Sequence, residues 1–278
     1  MVWLMVLFIK ALLFFSQPLH AQSACPANYV AFKNICVAKY EMKKDKDKKA
    51  SSEAKDRPWV EINQKEALKA CQDLGHGYDL ISNAQWTEIA RDISHTQSNW
   101  NTGIPFKGTL NIGHSDGVPD RALEASSNDD EACYLTGQSC SSLKWNLEKR
   151  THKLSNGETI WDFAGNVAEW VKDINDKKQI EAPQMYVSLV DFKDVRYASF
   201  GPDQKCETPQ IEYSYCGLGY YWTHDVKRNG IGRSGFWKHK SPFMTGVFSL
   251  GVDVFTFKRY PFMGFRCVYT PAQNRTHF

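Results

Sequence analysis

Apolar residues recur along this chain with different periods, and each period predicts a different kind of element. From Val2 to Phe15 they form an almost unbroken run, interrupted by Lys10. With Leu19-His20-Ala21 as a small-residue cleavage site, residues 1–21 read as a secretory signal. A membrane anchor is the rival reading, but the run is short of the roughly 20 residues that a span needs, and no other segment is apolar enough to cross a bilayer. Between Cys25 and Tyr40 the apolar positions alternate, with Val30, Phe32, Ile35 and Val37 among them, which predicts a hairpin of short strands. Asn63 to Leu74 changes to helical spacing, with Ala67, Leu68 and Cys71 on one face, Asn63 as N-cap and Gly75 as stop. A second helix is predicted from Asn83 to Ile93, with Trp86, Ile89, Ala90 and Ile93 inward, after a short extended piece at Tyr78–Ile81. The last strands are expected at Gly246–Leu250 and Gly264–Tyr269, closing a sheet beside the N-terminal hairpin.

Two stretches carry no clear period. Lys43 to Lys55 is a run of lysines with interspersed acids and reads as a solvated loop, with a polyanion-binding arm as the alternative. Ser98 to Glu158 is rich in Gly, Ser, Asn and Asp, and a loop region of that length is unusual unless it is functional or held down. There is no internal repeat and no convincing linker. The expected organisation is a signal at 1–21, one exported domain at 22–272 and a tail at 273–278.

Composition narrows this picture. The 278 residues are 42% hydrophobic and 13% aromatic, enough for a sizeable core. A net charge of +3 with scattered basic residues gives nucleic acid no footprint, so no such partner is expected. Eight cysteines, an even number in an exported chain, make disulfides the default. Spacing suggests Cys25 with Cys36 across the hairpin, and Cys133 with Cys140 and Cys206 with Cys216 around short loops. No C-x-x-C pair supports a zinc site.

The stretch Thr159 to Val171, T-I-W-D-F-A-G-N-V-A-E-W-V, concentrates chemistry. Trp161 and Trp170 are apolar anchors, and Gly165-Asn166 is a turn dipeptide that tolerates left-handed backbone. Asp162 and Glu169 are hard oxygen donors on either side of that turn. With the carbonyls of Gly165 and Val167 they make a candidate structural Ca²⁺ site. The alternative is a tight turn whose acids face water.

This stretch resembles the G-N-V-x-E-W signature of the formylglycine-generating enzyme, or sulfatase-modifying factor, family. Tyr40–Met42, Ala70–Gly75, Leu80–Arg91, Leu154–Glu158 and the closing G-F-R-C-V at Gly264–Val268 resemble further family motifs in the same order. The resemblance implies an α+β, C-type lectin-like fold with two helices, small twisted antiparallel sheets and long loops. It implies that Cys71 and Cys267 form the long-range bridge of that fold. It also implies a second Ca²⁺ site, from the Asn111 side chain, the Ile112 carbonyl and an acid at Asp129 or Asp130.

Active members of the family oxidise a substrate cysteine to formylglycine and hold Cu(I) between two thiolates. Those thiolates follow a G-G-S-W/Y motif, here Gly232-Arg233-Ser234-Gly235-Phe236-Trp237. His239 and Met244 fall about where the two cysteines belong, so the resemblance departs at its chemical centre and no copper is expected. There is no G-x-S-x-G elbow and no H-E-x-x-H either. What remains is binding. The aromatic-rich region Tyr213–Phe262 is the expected ligand face, with Trp222, Trp237, His239 and Phe243 as candidate contacts to a surface glycan or protein. The expectation is a secreted, periplasmic or cell-surface binding module; the alternative is a divergent metal-dependent oxidase.

Overall fold

Two short amphipathic helices and a set of short strands come first and last in the chain, with a long loop region between them. The computed structural model describes residues 25–175, 185–188, 199–207, 216–223, 229–239 and 244–272. The expected signal at 1–21 and the tail at 273–278 lie outside the described residues. In chain order the elements are β1 (Tyr29–Phe32), β2 (Ile35–Ala38), β3 (Lys43–Lys44), β4 (Ala50–Ser51), α1 (Gln64–Gln72), β5 (Tyr78–Leu80) and α2 (Asn83–His95). Then follow β6 (Thr151–Lys153), β7 (Thr159–Trp161), β8 (Ala168–Ile174), β9 (Met185–Ser188), β10 (Tyr220–Thr223), β11 (Gly230–Arg233), β12 (Leu250–Val254), β13 (Met263–Phe265) and β14 (Cys267–Tyr269).

Both helices begin where their side chains satisfy the first free N–H groups. Asn63 accepts from the Glu66 N–H while Glu66 reaches back to the Asn63 N–H, and Ser82 and Gln85 repeat the exchange on α2. The inward faces are as the spacing predicts: Ala67 and Cys71 on α1, and Trp86, Ile89, Ala90 and Ile93 on α2, are all buried. Trp86 stacks on Phe163 with ring centres 4.0 Å apart, and its indole N–H donates to the Val247 carbonyl at 2.8 Å. That one side chain joins α2, the loop after β7 and the turn before β12.

The strands form two principal sheets, ordered β1-β2-β14-β5 and β13-β8-β11-β12-β10-β9. The first is antiparallel throughout and holds the N-terminal hairpin against the chain's last strand. The second contains two parallel pairs, β13 with β8 and β10 with β12. Four disulfides fasten the loops: Cys25–Cys36, Cys133–Cys140, Cys206–Cys216 and, across 196 residues, Cys71–Cys267. The last ties α1 to β14, as the family resemblance implies. The whole is α+β and C-type lectin-like.

Two local expectations are corrected. Lys43 does not lie in a solvated loop: β3 and β4 pair, and Lys43 is 2% exposed. The strand expected at Gly246–Leu250 is displaced to Leu250–Val254. Val247 and Phe248 are apolar because they are buried in a turn, where the Phe248 N–H donates to the Leu218 carbonyl.

Candidate functional site

The signature loop between β7 and β8 bends because Asp162, Gly165 and Asn166 all take left-handed backbone, at φ of 52°, 78° and 60°. Gly165 is required for a second reason. A Cβ there would lie 2.7 Å from the carbonyl oxygens of both Ile112 and His114. Asn166 then ties the loop outward in three directions. Its side chain donates to the Leu123 carbonyl and to Glu41 and accepts from the Leu123 N–H, and its carbonyl accepts from the Trp237 N–H at 3.0 Å.

The two acids of the loop do not face one cation. Asp162 accepts from Arg150 Nε at 2.8 Å and Nη2 at 2.7 Å. Glu169 accepts from Arg266 Nη2 at 2.7 Å and Nε at 3.2 Å. All four residues are 1% exposed or less. Each guanidinium also donates to backbone carbonyls, Arg150 to Glu124 and Tyr134, Arg266 to Ala38 and Trp161. The Gly165 carbonyl accepts from Ser234 Oγ, and the Val167 N–H donates to Glu41. Calcium needs six to eight oxygens with lone pairs directed at it. Here a buried arginine already balances each carboxylate, so Asp162 and Glu169 bring no unbalanced charge to the ion expected from their spacing.

Glu41 and Lys43 complete this cluster. Burial, then the nearby Asp162, holds the Glu41 carboxyl well above its usual range. Burial also lowers Lys43 to about 8, against the opposing pull of Glu41. Three acids therefore share one buried volume with three bases, and fixed side chains balance the charge. Of the second expected Ca²⁺ set, Asn111 is buried and Asp130 is exposed. The Asn111 amide donates to the carbonyls of Lys149 and Thr151, and its Oδ1 is buried without a hydrogen-bond partner. Asp130 sits in an exposed loop, where it accepts from Ser142 Oγ. Asp129 is engaged with Lys39 and with the Trp161 indole.

A cleft of about 140 Å³ opens beside β11 and β12. Its floor is low because Gly232 and Gly251 have no side chains; a Cβ on Gly232 would come within 2.9 Å of Met263 Cε. Trp222, Phe236, His239, Met244, Tyr260 and Phe262 wall it. Phe236 stacks on Phe262 at 4.4 Å, and the His239 ring lies 4.0 Å from Phe236. Burial holds His239 down to about 4, so its imidazole is neutral near pH 7. Of the four residues expected at the ligand face, Trp222 and His239 line this cleft. Trp237 does not line it and donates instead from Nε1 to Asp120 at 3.1 Å, while Phe243 lies outside the described residues. Tyr260 and Phe262 lie inside the expected Tyr213–Phe262 face but were not among its named contacts, although the F-K-R-Y-P-F run that carries them stands just before the closing motif. All eight cysteines are in disulfides, so no thiol faces the cleft.

A third group of ligand-type side chains had no signal in the sequence. His114, Asp116 and Glu148 bring one ligand atom each to within 4.8 Å of one another. Thirty-odd residues of loop separate the last from the first two, a distance no spacing rule covers.

A family model described as the sulfatase-modifying factor enzyme 1-like domain matches residues 21–271. No curated protein matches. Among solved structures the chain is similar to Treponema denticola variable protein 1, at 14% identity over 85% of this chain and 84% of that chain, with a TM-score of 0.44. It is also similar to PvdO from Pseudomonas aeruginosa, at 14% identity over 85% and 80% of the two chains, with a TM-score of 0.36.

Proposed function

The chain belongs to the sulfatase-modifying factor family, and from that premise we propose that it works as an exported ligand-binding module and not as a cysteine oxidase. One observation carries this reading: the cleft lined by His239 and Met244, which the sequence resemblance sets about where the family's reactive thiols belong, is walled by rings, an imidazole and a thioether, with every cysteine committed to a disulfide. Neither imidazole nor thioether replaces a thiolate in that oxidation. The space is close to that of an engineered cavity of about 150 Å³ that takes a benzene, so it suits one apolar or aromatic side chain. A protein ligand presenting such a side chain is favoured over a glycan, whose hydroxyls would find few partners on these walls. Export is supported by the four disulfides. Among the described residues no helix is long and apolar enough to cross a membrane.

An array of surface glycans and peptides, probed with the mature domain, tests the reading. The expected hits are peptides with an exposed apolar side chain, and Trp222→Ala should weaken them by about 2 kcal/mol, roughly 30-fold. Hits that ignore both Trp222→Ala and Phe236→Ala would place the ligand elsewhere. The second reading, a divergent metal-dependent oxidase, draws on His239 and Met244 lining the same cleft, since both are copper-compatible donors. A tight, stoichiometric Cu(I) site abolished by His239→Ala and Met244→Ala would establish it in place of the first.

A further inference from the structure

We propose that His114, Asp116 and Glu148 form a binding site for one divalent first-row transition ion of the Zn²⁺ or Mn²⁺ class. The site is built by the loops and not merely exposed on them. The Ile112 N–H donates to the Leu147 carbonyl at 2.8 Å, which lays the Glu148 segment alongside His114. The Glu148 N–H donates to Asn146 Oδ1 and the Val118 N–H to Asp116 Oδ1, both at 2.8 Å, and these two turns aim the acids.

His114 supplies the evidence that a ligand belongs there. Its side chain is fully buried. Its Nε2 lies 3.1 Å from the Pro119 carbonyl and 3.0 Å from the Arg121 carbonyl. Two acceptors at one ring nitrogen fix the proton on Nε2, so Nδ1 carries the lone pair. That Nδ1 is buried, has no hydrogen-bond partner and stands 3.6 Å from Asp116 Oδ1. Glu148 Oε2 is likewise buried without a partner. Burial first, then the facing Asp116, pushes the Glu148 carboxyl up to about 8. Two carboxyls and an imidazole lone pair thus converge, and among the described residues no Lys or Arg pairs with them, so a proton held by Glu148 balances the charge near pH 7. A cation about 2.0–2.2 Å from each ligand would do so in its place.

The donor set selects the class of ion. One nitrogen and two carboxylates suit a borderline ion, whereas Ca²⁺ and Mg²⁺ take oxygen ligands. The Asp116 side chain is 36% exposed, so the site opens to solvent on that side and leaves coordination positions for water. The same loop carries Asp120, which holds the Trp237 indole and pairs with Lys238, next to the cleft-lining His239. An ion at His114 would therefore order the loop that borders the cleft.

The test is titration of untagged, chelator-stripped mature chain with Zn²⁺, Mn²⁺ or Ca²⁺ alone, read by calorimetry, bound-metal stoichiometry and melting temperature. One equivalent of Zn²⁺ or Mn²⁺ per chain is expected, with a raised melting temperature and much weaker Ca²⁺ binding. His114→Ala and Glu148→Gln should each weaken the transition ion by at least about 100-fold. If His114→Ala does not fold, Asp116→Asn on the exposed lip carries the same expectation. The proposal is overturned if wild type takes up no stoichiometric ion, if Glu148→Gln and Asp116→Asn bind it as tightly as wild type, or if Ca²⁺ binds best.

Discussion

Two groups of carboxylates lie on either side of one backbone contact, where the Asn166 N–H donates to the His114 carbonyl at 2.8 Å. On one side Asp162 and Glu169 are each held by two nitrogens of a buried arginine. On the other, Asp116 and Glu148 face each other and an imidazole lone pair. The first group resembles a metal site in sequence and is closed by protein cations. The second has no recognisable sequence pattern, and among the described residues no Lys or Arg pairs with its acids. A carboxylate in an apolar setting must be neutralised by something. Which acids await an ion is decided by where the arginines go, not by the acids themselves.

The largest expected effect breaks the first group. Asp162→Asn keeps the shape but leaves the Arg150 guanidinium buried with only neutral oxygens as partners. Removing one partner of a buried pair costs about 3–5 kcal/mol. Urea unfolding of the variant should show that loss as a lowered midpoint at unchanged slope. A loss below about 1 kcal/mol, the worth of a surface pair, would mean that Arg150 is not what balances Asp162.

Why spacing misled here is plain from particular residues. The two helices were legible because their signals are local: Asn63 with Glu66, Ser82 with Gln85, and an apolar stripe of period 3.6. The hairpin was legible for the same reason, at period two. The partners of Asp162 and Glu169 lie 12 and 97 residues away, and no local pattern reports a contact made by chain return. Lys43 misled in the same way: a lysine in a lysine run reads as solvated, yet pairing of β3 with β4 buries it among Glu41 and Asp162. The Cys71–Cys267 bridge was legible through the family resemblance. His114 and Glu148 were not legible at all, since contacts made by chain return, such as Ile112 with Leu147 and Asn111 with Lys149, bring them together.

A smaller effect is read by acid. His152 is fully buried beside the arginine-closed group. Burial lowers its pKa from 6.5 to about 4, Lys149 and Arg266 add to the lowering, and the Asn111 carbonyl and Asp162 oppose it. The unfolded chain then binds the extra proton between those values and the folded chain does not. Stability is complete above pH 6.5 and falls as pH drops toward 4, by about 3 kcal/mol at the bottom of that window. His152→Gln should flatten that part of the melting-temperature profile. An unchanged slope would mean that the imidazole is charged in the fold, and that the arginine-closed group carries a negative excess.

The smallest effect is the most diagnostic, because it repeats the first substitution with the opposite sign. Glu148→Gln, like Asp162→Asn, exchanges a carboxylate for an amide of the same shape. At Glu148 it removes a carboxyl that must take up a proton on folding at pH 7, since burial and Asp116 push it up to about 8, and leaves no buried cation behind. Metal-free protein should therefore gain stability, by about 1 kcal/mol in a site partly open to water. Added Zn²⁺ should reverse the order, since wild type gains RT ln(1 + [L]/Kd) and the variant loses most of that term. Melting curves of the two proteins, with chelator and with Zn²⁺, would then cross. If Glu148→Gln is destabilising without metal, like charges do not define this group. The two groups would then be one kind of structure, each already balanced by protein.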